Sequence, residues 1–290
     1  MITQHQFNQI LDTIKTAGEI AINSFASKNF TVKRKYDDSV LSTTDEEISI
    51  FISNEIAKIT PDIPILSEED QDFYSKNLEF DKIWVLDPID GTNNFINNNQ
   101  QFAINLALIN NNKAVIGIIY APLFDGGKFI FNYNGKVFMI KRDNNFTNKE
   151  IISKKTDYNH NNINIITSFR SSKESTNQFI LYHLPQIANN FKIIKISSSI
   201  KFINLIENQD NIYLHLQNSM IWDTASGQSI IETLCGNIYQ IDCINNNENK
   251  TSSEKQYFIS DKLLECNYKN PKNPYFIASF NFNNAISIPK

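Results

Sequence analysis

The stretch WVLDPIDGTNNF at residues 84–95 constrains this chain more than any other. An apolar run ends in two aspartates three positions apart, Asp87 and Asp90, with Pro88 between them and Gly91-Thr92 directly after. Two like charges at the end of a buried strand repel, and burying them costs several kcal/mol or more unless a positive charge is present. Pro88 fixes the turn, so that Asp87, the Ile89 carbonyl and Asp90 can face one point. The pattern predicts a strand end built around a cation.

Other acids are placed in a related way. Glu68 and Glu69 follow a short apolar run, Asp223 opens a late helix, and Asp45 lies in the first turn of an early one. Taken singly, each acid reads more simply as a helix cap or a turn residue. Taken together and without Cys or His, they are the ligand set of a hard cation, typically Mg²⁺, which prefers oxygen and keeps some of its water. Gly91 allows a tight bend with exposed amides, and amides at a helix N-terminus suit a phosphate group. A metal beside such amides predicts a phosphate-processing site.

Composition sets the outer bounds. The chain has 290 residues, 41% of them hydrophobic, enough for one large domain or two small ones with a sizeable core. An Asn- and Lys-rich stretch near residues 141–160 marks a soft boundary. It divides an N-terminal α+β half, 1–150, carrying the main metal motifs, from a C-terminal α/β half, 151–290, carrying substrate-side residues and Asp223. The net charge of −4 and the absence of a basic stripe argue against a nucleic acid polymer as partner. Cys235, Cys243 and Cys266 lack metal-type spacing, and no basic region followed by an apolar stretch opens the chain. No apolar run reaches the ~18–20 residues of a membrane span. The expectation is a cytoplasmic protein with no transmembrane segment, association with a membrane surface being left open. Asn clusters such as 97–99 and 245–247 read as bias in solvated loops.

Periodicity outlines the elements. Phe7, Ile10, Leu11, Ile14 and Ala17 recur at helical spacing, and a second helix starts near Thr44, with Thr44 and Glu47 fitting a capping box. Strands are expected at 63–66, 83–86, 102–108 and 114–120, and Asn134-Gly135 inside 128–140 predicts a type I′ hairpin. The second half alternates: strand 163–167, helix 173–184, strand 193–196, helix 199–207, strand 212–216, helix 223–234 closed by Gly236, and strand 238–241. The phenylalanines are read as core. Trp222 is read as a packing anchor, and His5, His160 and His183 as surface residues. Lys33-Arg34-Lys35 is read as a solvated loop.

LDPIDGTNNF is similar to the D-P-[IL]-D-G-T-x-x-F signature of the inositol monophosphatase superfamily of lithium-sensitive, Mg²⁺-dependent phosphatases. SEED at 67–70 resembles its E-E motif, and IWDTASG at 221–227 resembles its W-D-x-A-[AS]-G motif, in matching order and spacing. LSEED, YAP at 120–122, SSSIKF at 197–202 and IWDTASG look most like the CysQ-type 3′(2′),5′-bisphosphate nucleotidases. The resemblance runs from the first helix to about residue 242. It implies a layered α-β-α-β-α sandwich of the inositol monophosphatase and fructose-bisphosphatase type, with a largely antiparallel first sheet and a mixed second one.

The resemblance also implies roles. Glu68, Asp87 and the Ile89 carbonyl would hold a first Mg²⁺; Asp87, Asp90 and Asp223 a second. Glu69 and Asp45 would border a third, weaker ion. Thr92 and Asp45 would orient and deprotonate the attacking water, and the Gly91 and Thr92 amides would hold the scissile phosphate. Ser198, Ser199, Lys201 and Arg170 would hold the rest of a small phosphorylated metabolite. The implied reaction converts adenosine 3′,5′-bisphosphate to AMP and phosphate. An inositol monophosphatase or sugar phosphatase is the alternative within the class, and a non-catalytic metal-binding regulatory relative the alternative outside it. A homodimer is a further implied partner, on which the sequence itself is silent.

Two segments depart from the pattern. Where relatives commonly read D/N-S-P-V-T-x-A-D, this chain reads DSVLSTTD at 38–45 and lacks the proline. His215 stands where the nucleotidases usually carry Arg, a permanent bidentate phosphate grip, whereas His is mostly neutral at pH 7. A structural His and a ligand-binding one remain equal readings from the sequence.

Overall fold

A computed structural model describes residues 2–34, 40–70, 79–142, 146, 149–157, 163–184, 191–245 and 255–281. Asp38, Ser39, Lys35, His160 and residues 282–290 lie outside them, as do Asn246 and Asn247.

The chain opens with α1 (Gln4–Ser27), β1 (Val32–Arg34), β2 (Val40–Ser42) and α2 (Thr43–Ile59). The apolar stripe of α1 buries Phe7, Ile10, Leu11, Ile14, Ala17 and Ala21, as its spacing predicts. The capping box of α2 is formed by Ser42 and Asp45, not by Thr44 and Glu47. The helix begins at Thr43, which puts Asp45 at the third position, where its carboxylate reaches back to the Ser42 N–H at 3.0 Å. Lys33 and Arg34 are exposed on β1, and Lys33 pairs with Glu46 at 3.0 Å.

The first sheet holds β3 (Ile65–Ser67), β4 (Lys82–Asp90), β5 (Ala103–Asn110), β6 (Lys113–Ala121), β7 (Lys128–Tyr133), β8 (Lys136–Lys141) and β9 (Lys149–Ile152) in sequence order, with the short helix α3 (Thr92–Ile96) between β4 and β5. Only β3 and β4 pair parallel; the rest are antiparallel. At the β7–β8 turn Asn134 and Gly135 have φ of 50° and 70°, the left-handed pair a type I′ turn requires.

The second half continues with β10 (Ile163–Thr167), α4 (Lys173–His183), β11 (Phe191–Lys195), α5 (Ile200–Glu207), β12 (Ile212–His215), β13 (Ser219–Met220), α6 (Ile221–Thr233), β14 (Asn237–Asn245), β15 (Lys255–Leu263), β16 (Lys272–Asn273) and β17 (Tyr275–Ser279). The second sheet runs β11-β10-β12-β17-β14-β15 and is mixed: β10 pairs parallel with β11 and β12, and the other pairs are antiparallel. Strand β17 comes from the segment after residue 242, in which the sequence shows no motif, yet it lies between β12 and β14 with Phe276, Ile277 and Ala278 fully buried.

The layers follow from which faces are apolar. Helices α1 and α2 cover one face of the first sheet, burying Ile48, Ile52 and Ile56 against Trp84, Leu86 and Leu106. Helices α5 and α6 fill the space between the sheets, where Phe202, Ile203, Ile230 and Ile231 meet Ile119, Ile130, Tyr213 and Phe276. Helix α4 seals the far face of the second sheet with Phe179 and Ile180. The order is helix, sheet, helix, sheet, helix. Being covered on both sides, β5 is buried at Ala103–Ile109 rather than only at alternate positions. Helix α6 ends differently from expectation: Cys235, at φ 58°, takes the left-handed position, and Gly236 N–H reaches back to the Ile231 carbonyl at 3.0 Å. Gly236 is needed for space, since a Cβ there would lie 2.6 Å from the Ile231 side chain.

Among the described residues no helix is long and apolar enough to cross a membrane.

Candidate active site

Asp87 and Asp90 solve a geometric problem. In a regular strand, residues three apart point to opposite faces. Here the β4–β5 register is irregular between Asp87 and Asp90, at Pro88-Ile89. The irregularity re-aims the chain, as bulges do beside functional sites. The Ile89 side chain turns into the core at 1% exposure, while Asp87 and Asp90 both line one cleft. One carboxylate oxygen each from Glu68, Asp87 and Asp223 lies within 4.8 Å of the others. Glu68 is brought in by β3, whose parallel pairing with β4 is continued by the Glu68 N–H to the Leu86 carbonyl at 2.9 Å. Asp223 comes from the first turn of α6, where Met220 N–H donates to it at 2.7 Å.

This crowding shows in the acid strengths. Burial pushes the Asp87 carboxyl well above its usual range, and Glu68, Asp90, Asp223 and Asp45 push it further. Asp223 is raised by burial first, then by Asp90 and Glu68. Asp87 Oδ1 is buried with no hydrogen-bond partner among the described residues. A chain that gathers carboxylates and leaves an oxygen unpartnered at their centre has the donor set of a hard divalent ion, so these residues fit Mg²⁺.

Thr92 follows Gly91, whose φ of 94° no other residue adopts easily. A Cβ at Gly91 would also lie 2.9 Å from the Gln101 carbonyl and 3.3 Å from Ser198 Cβ, so the backbone approaches the far wall closely. The Thr92 hydroxyl can donate to Asp45 Oδ1 or to the Ile89 carbonyl, each 3.0 Å away. Burial lifts the Asp45 pKa to about 6, against the lowering contacts from Ser42 and Thr92. Neither Asp45 nor Glu69 is among the described residues lining the cleft; Asp45 reaches it through Thr92. Replacing Ser42 with Ala removes the hydroxyl half of the α2 cap, which accepts from the Asp45 N–H and contacts the Asp45 carboxylate, and leaves the Ser42 N–H bond to Asp45 in place. The expected cost is ~1–2 kcal/mol, a fall in Tm of about 2–6 °C, read from a thermal melt.

The far wall carries the other residues expected at the site. Ser198, Ser199, Lys201, Arg170 and His215 all line the cleft. The Ser199 N–H and hydroxyl both donate to Asp90 Oδ2 at 2.5 Å, so Ser199 serves the carboxylates. Lys201 is buried; its ammonium donates to the Ser198 carbonyl at 2.7 Å. Burial lowers its pKa, with Asp90 and Asp223 opposing. His215 is buried against Phe276, ring centroids 4.8 Å apart and nearly parallel, with Nδ1 3.1 Å from the Tyr213 hydroxyl. Burial, aided by Lys201, drops its pKa to about 3, so the imidazole is neutral. Trp222 packs beside the Ile221 and Ala225 cluster. His183 is half-buried and meets the Tyr257 carbonyl, unlike the exposed His5.

Two residues were missed by the sequence reading. Phe169 is 54% exposed on the cleft rim, beside Arg170, which corrects the assignment of the phenylalanines to core. It sits in a turn closed by Ser171 N–H to the Ser168 carbonyl at 3.0 Å. Asn105 is buried on β5 and donates to Ser199 Oγ at 2.6 Å and to Asp90 Oδ2 at 3.2 Å. Its signal was available: a single amide in the otherwise apolar run 102–109.

The cleft encloses about 470 Å³. A larger groove, about 820 Å³, opens at the other end of β4 around Pro61, Phe80 and Lys82. Among the described residues, no carboxylate cluster with metal-ligand spacing lies in that groove, so the smaller cleft is the candidate.

A family model described as the inositol monophosphatase family matches residues 4–278. The 3′(2′),5′-bisphosphate nucleotidase CysQ of Salmonella typhimurium is 29% identical over 224 residues, 77% of this chain and 85% of that one. The protein of the same name from Buchnera aphidicola is 28% identical over 242 residues, 82% and 85% of the two chains. Among solved structures, CysQ from Bacteroides thetaiotaomicron matches with a TM-score of 0.70 at 24% identity, over 95% of this chain and 97% of that one. An IMPase/NADP phosphatase complexed with Mg²⁺ and phosphate matches with a TM-score of 0.65 at 16% identity, over 96% and 91%. These two structures establish the fold.

Proposed function

Because the chain belongs to the inositol monophosphatase family, whose members are metal-dependent phosphatases of small phosphorylated substrates, we propose that it is a 3′(2′),5′-bisphosphate nucleotidase. On this reading it removes the 3′ phosphate of adenosine 3′,5′-bisphosphate and leaves AMP. The observation that carries the reading is the convergence of Glu68, Asp87 and Asp223 around an unpartnered Asp87 oxygen, in one cleft with Gly91, Thr92 and the buried Lys201.

Glu68, Asp87 and the Ile89 carbonyl would hold one Mg²⁺ and Asp87, Asp90 and Asp223 another, with Glu69 and Asp45 bordering a third, weaker one. Bound there, the ions supply positive charge to the phosphoryl oxygens and to the departing oxygen and lower the pKa of water. The chain's own groups do the rest. The Gly91 and Thr92 amides orient the scissile phosphate. The Thr92 hydroxyl, donating to Asp45, presents its lone pairs to the attacking water, and Asp45 takes the proton. Lys201, Phe169 and Arg170 line the same cleft; on this reading Lys201 would face the negative charge of the rest of the substrate, and Phe169 and Arg170 would meet a planar base and a second anion.

His215 favours a second reading. A neutral imidazole grips a phosphate less firmly than a guanidinium does, which suits an inositol or sugar phosphate. A phosphate-release panel over adenosine 3′,5′-bisphosphate, inositol 1-phosphate and fructose 1,6-bisphosphate, with and without Mg²⁺, separates the two. The expected result is highest kcat/KM on the nucleotide. Phe169→Ala is expected to raise KM for the nucleotide on the order of 10-fold, with inositol 1-phosphate turnover unchanged. Preference for inositol 1-phosphate would overturn the nucleotidase assignment. No release from any ester would favour a non-catalytic relative.

A further inference from the structure

Asn105 lies outside every motif, yet its amide is held in one orientation by donor and acceptor logic. The Asp90 carboxylate has nothing to donate, so the group 3.2 Å from its Oδ2 must be the amide NH₂. Ser199 Oγ gives its hydrogen to the same Asp90 oxygen, so it accepts from Asn105 Nδ2 at 2.6 Å. A flipped amide would set two acceptors against each other at Asp90. The Asn105 oxygen is thereby turned away from this network. It is buried, the residue is 1% exposed, and no described group donates to it.

Asn105 is also the cross-strand partner of Asp87. Directly opposed residues of an antiparallel pair share a face, with Cβ atoms about 4.5–5.5 Å apart. Asp87 Oδ1 is, among the described residues, also a buried acceptor without a donor. Two buried oxygens on cross-strand partners, neither with a donor among the described residues, call for a cation or for the water that a small divalent cation keeps around it.

We propose that Asn105 is a positioning residue of the cation site: its NH₂ clamps Asp90 to Ser199, and its free oxygen faces the hydrated ion beside Asp87. This rests on the reading of the carboxylate cluster as a Mg²⁺ site. A buried amide oxygen adds a ligand-side dipole without adding a further mutually repelling charge to the cluster. The amide therefore aids ion binding while sparing the ion-free chain further repulsion.

The test is calorimetric titration of the full chain with Mg²⁺, and with Mn²⁺ as a second probe. Asn105→Leu removes both the clamp and the oxygen and is expected to weaken binding by about 10- to 100-fold. Asn105→Asp keeps an oxygen but loses the NH₂ clamp. It is expected to bind at least as tightly as the native chain, while melting lower in chelator because a further carboxylate joins the cluster. Native affinity in Asn105→Leu, or equal losses in Asn105→Leu and Asn105→Asp, would overturn the role of the oxygen. Should Asn105→Leu fail to melt cooperatively, Asn105→Asp decides alone, a 10-fold loss counting against the proposal. Absence of Mg²⁺ and Mn²⁺ binding by the native chain would instead remove the cation site itself.

Discussion

Asp87→Asn is expected to slow phosphate release by ~10³-fold or more and yet to melt above the native chain when divalent ions are chelated. The two effects have one cause. Asp87 is 2% exposed, four other carboxylates crowd it, and one of its oxygens has no partner among the described residues. Its carboxyl is raised well above 3.8 by burial first and by Glu68, Asp90 and Asp223 after it. An acid whose folded pKa is raised binds more protons folded than unfolded, so the ion-free chain loses stability as pH climbs above the ordinary carboxylate range. Near neutral pH that penalty is present, and a neutral amide of the same shape removes it. The gain is ~1–3 kcal/mol, a rise in Tm of about 2–10 °C. Mg²⁺ then reverses the order. An ion at 100 times its Kd stabilises the native chain by ~2.7 kcal/mol, and the variant loses that share. Melts with chelator and with Mg²⁺, run beside a phosphate-release assay, make the comparison. A variant that melts below the native chain in chelator and keeps its full Mg²⁺ shift would show that Asp87 is not a cation ligand.

Physical reasons decide which parts of this arrangement were legible in the sequence. Asp87, Asp90, Glu68 and Asp223 stood out because a charge at the end of an apolar run has few structural explanations. The Asn134-Gly135 turn was legible because its backbone angles exclude most other residues. Strand β17 was not, since a strand buried on both faces loses the alternation that marks a half-exposed one, and Tyr275–Ser279 is only five residues long. The α2 cap was misplaced by two residues because Ser42-Thr43-Thr44 offers three hydroxyls in a row. Only the fold decides which one reaches the third amide. The left-handed cap of α6 fell to Cys235 because the adjacent Gly236 was needed for the space beside Ile231. Phe169 read as core by residue type alone; its exposure follows from a turn whose position in three dimensions depends on β10 and Ser171.

Gly117→Ala is expected to be the most damaging single methyl that can be added to this chain outside the cleft. Gly117 lies in β6, and a Cβ there would fall 2.0 Å from the Ser226 carbonyl oxygen and 2.9 Å from Ser226 Cα. These are backbone atoms of α6, so no rotamer change relieves the overlap. The helix cannot slide away freely either. The Gly117 N–H donates to Asn132 Oδ1 at 2.6 Å, Ser229 Oγ donates to the same oxygen at 3.0 Å, and Asn132 Nδ2 reaches Thr233 Oγ1 at 2.9 Å. On the opposite side Gly227 lets the Phe202 ring approach to where a Cβ would lie 2.2 Å from it. Helix α6 is pinched between β6 and α5 at two positions without a side chain. The Ala variant is expected to lose about 3 kcal/mol or more, a Tm drop of about 6–12 °C. Gly126→Ala is the control. Its φ of 79° disfavours a side chain, but nothing lies within 4 Å, so its cost is held to ~1–2 kcal/mol. The consequence reaches the site because Asp223 sits one turn before Ser226 on the same helix. Gly117→Ala that still folds is therefore expected to bind Mg²⁺ more weakly, which Gly126→Ala is not. A Tm within 2 °C of native for Gly117→Ala would mean that α6 does not rest directly on β6, and the placement of Asp223 would need another support.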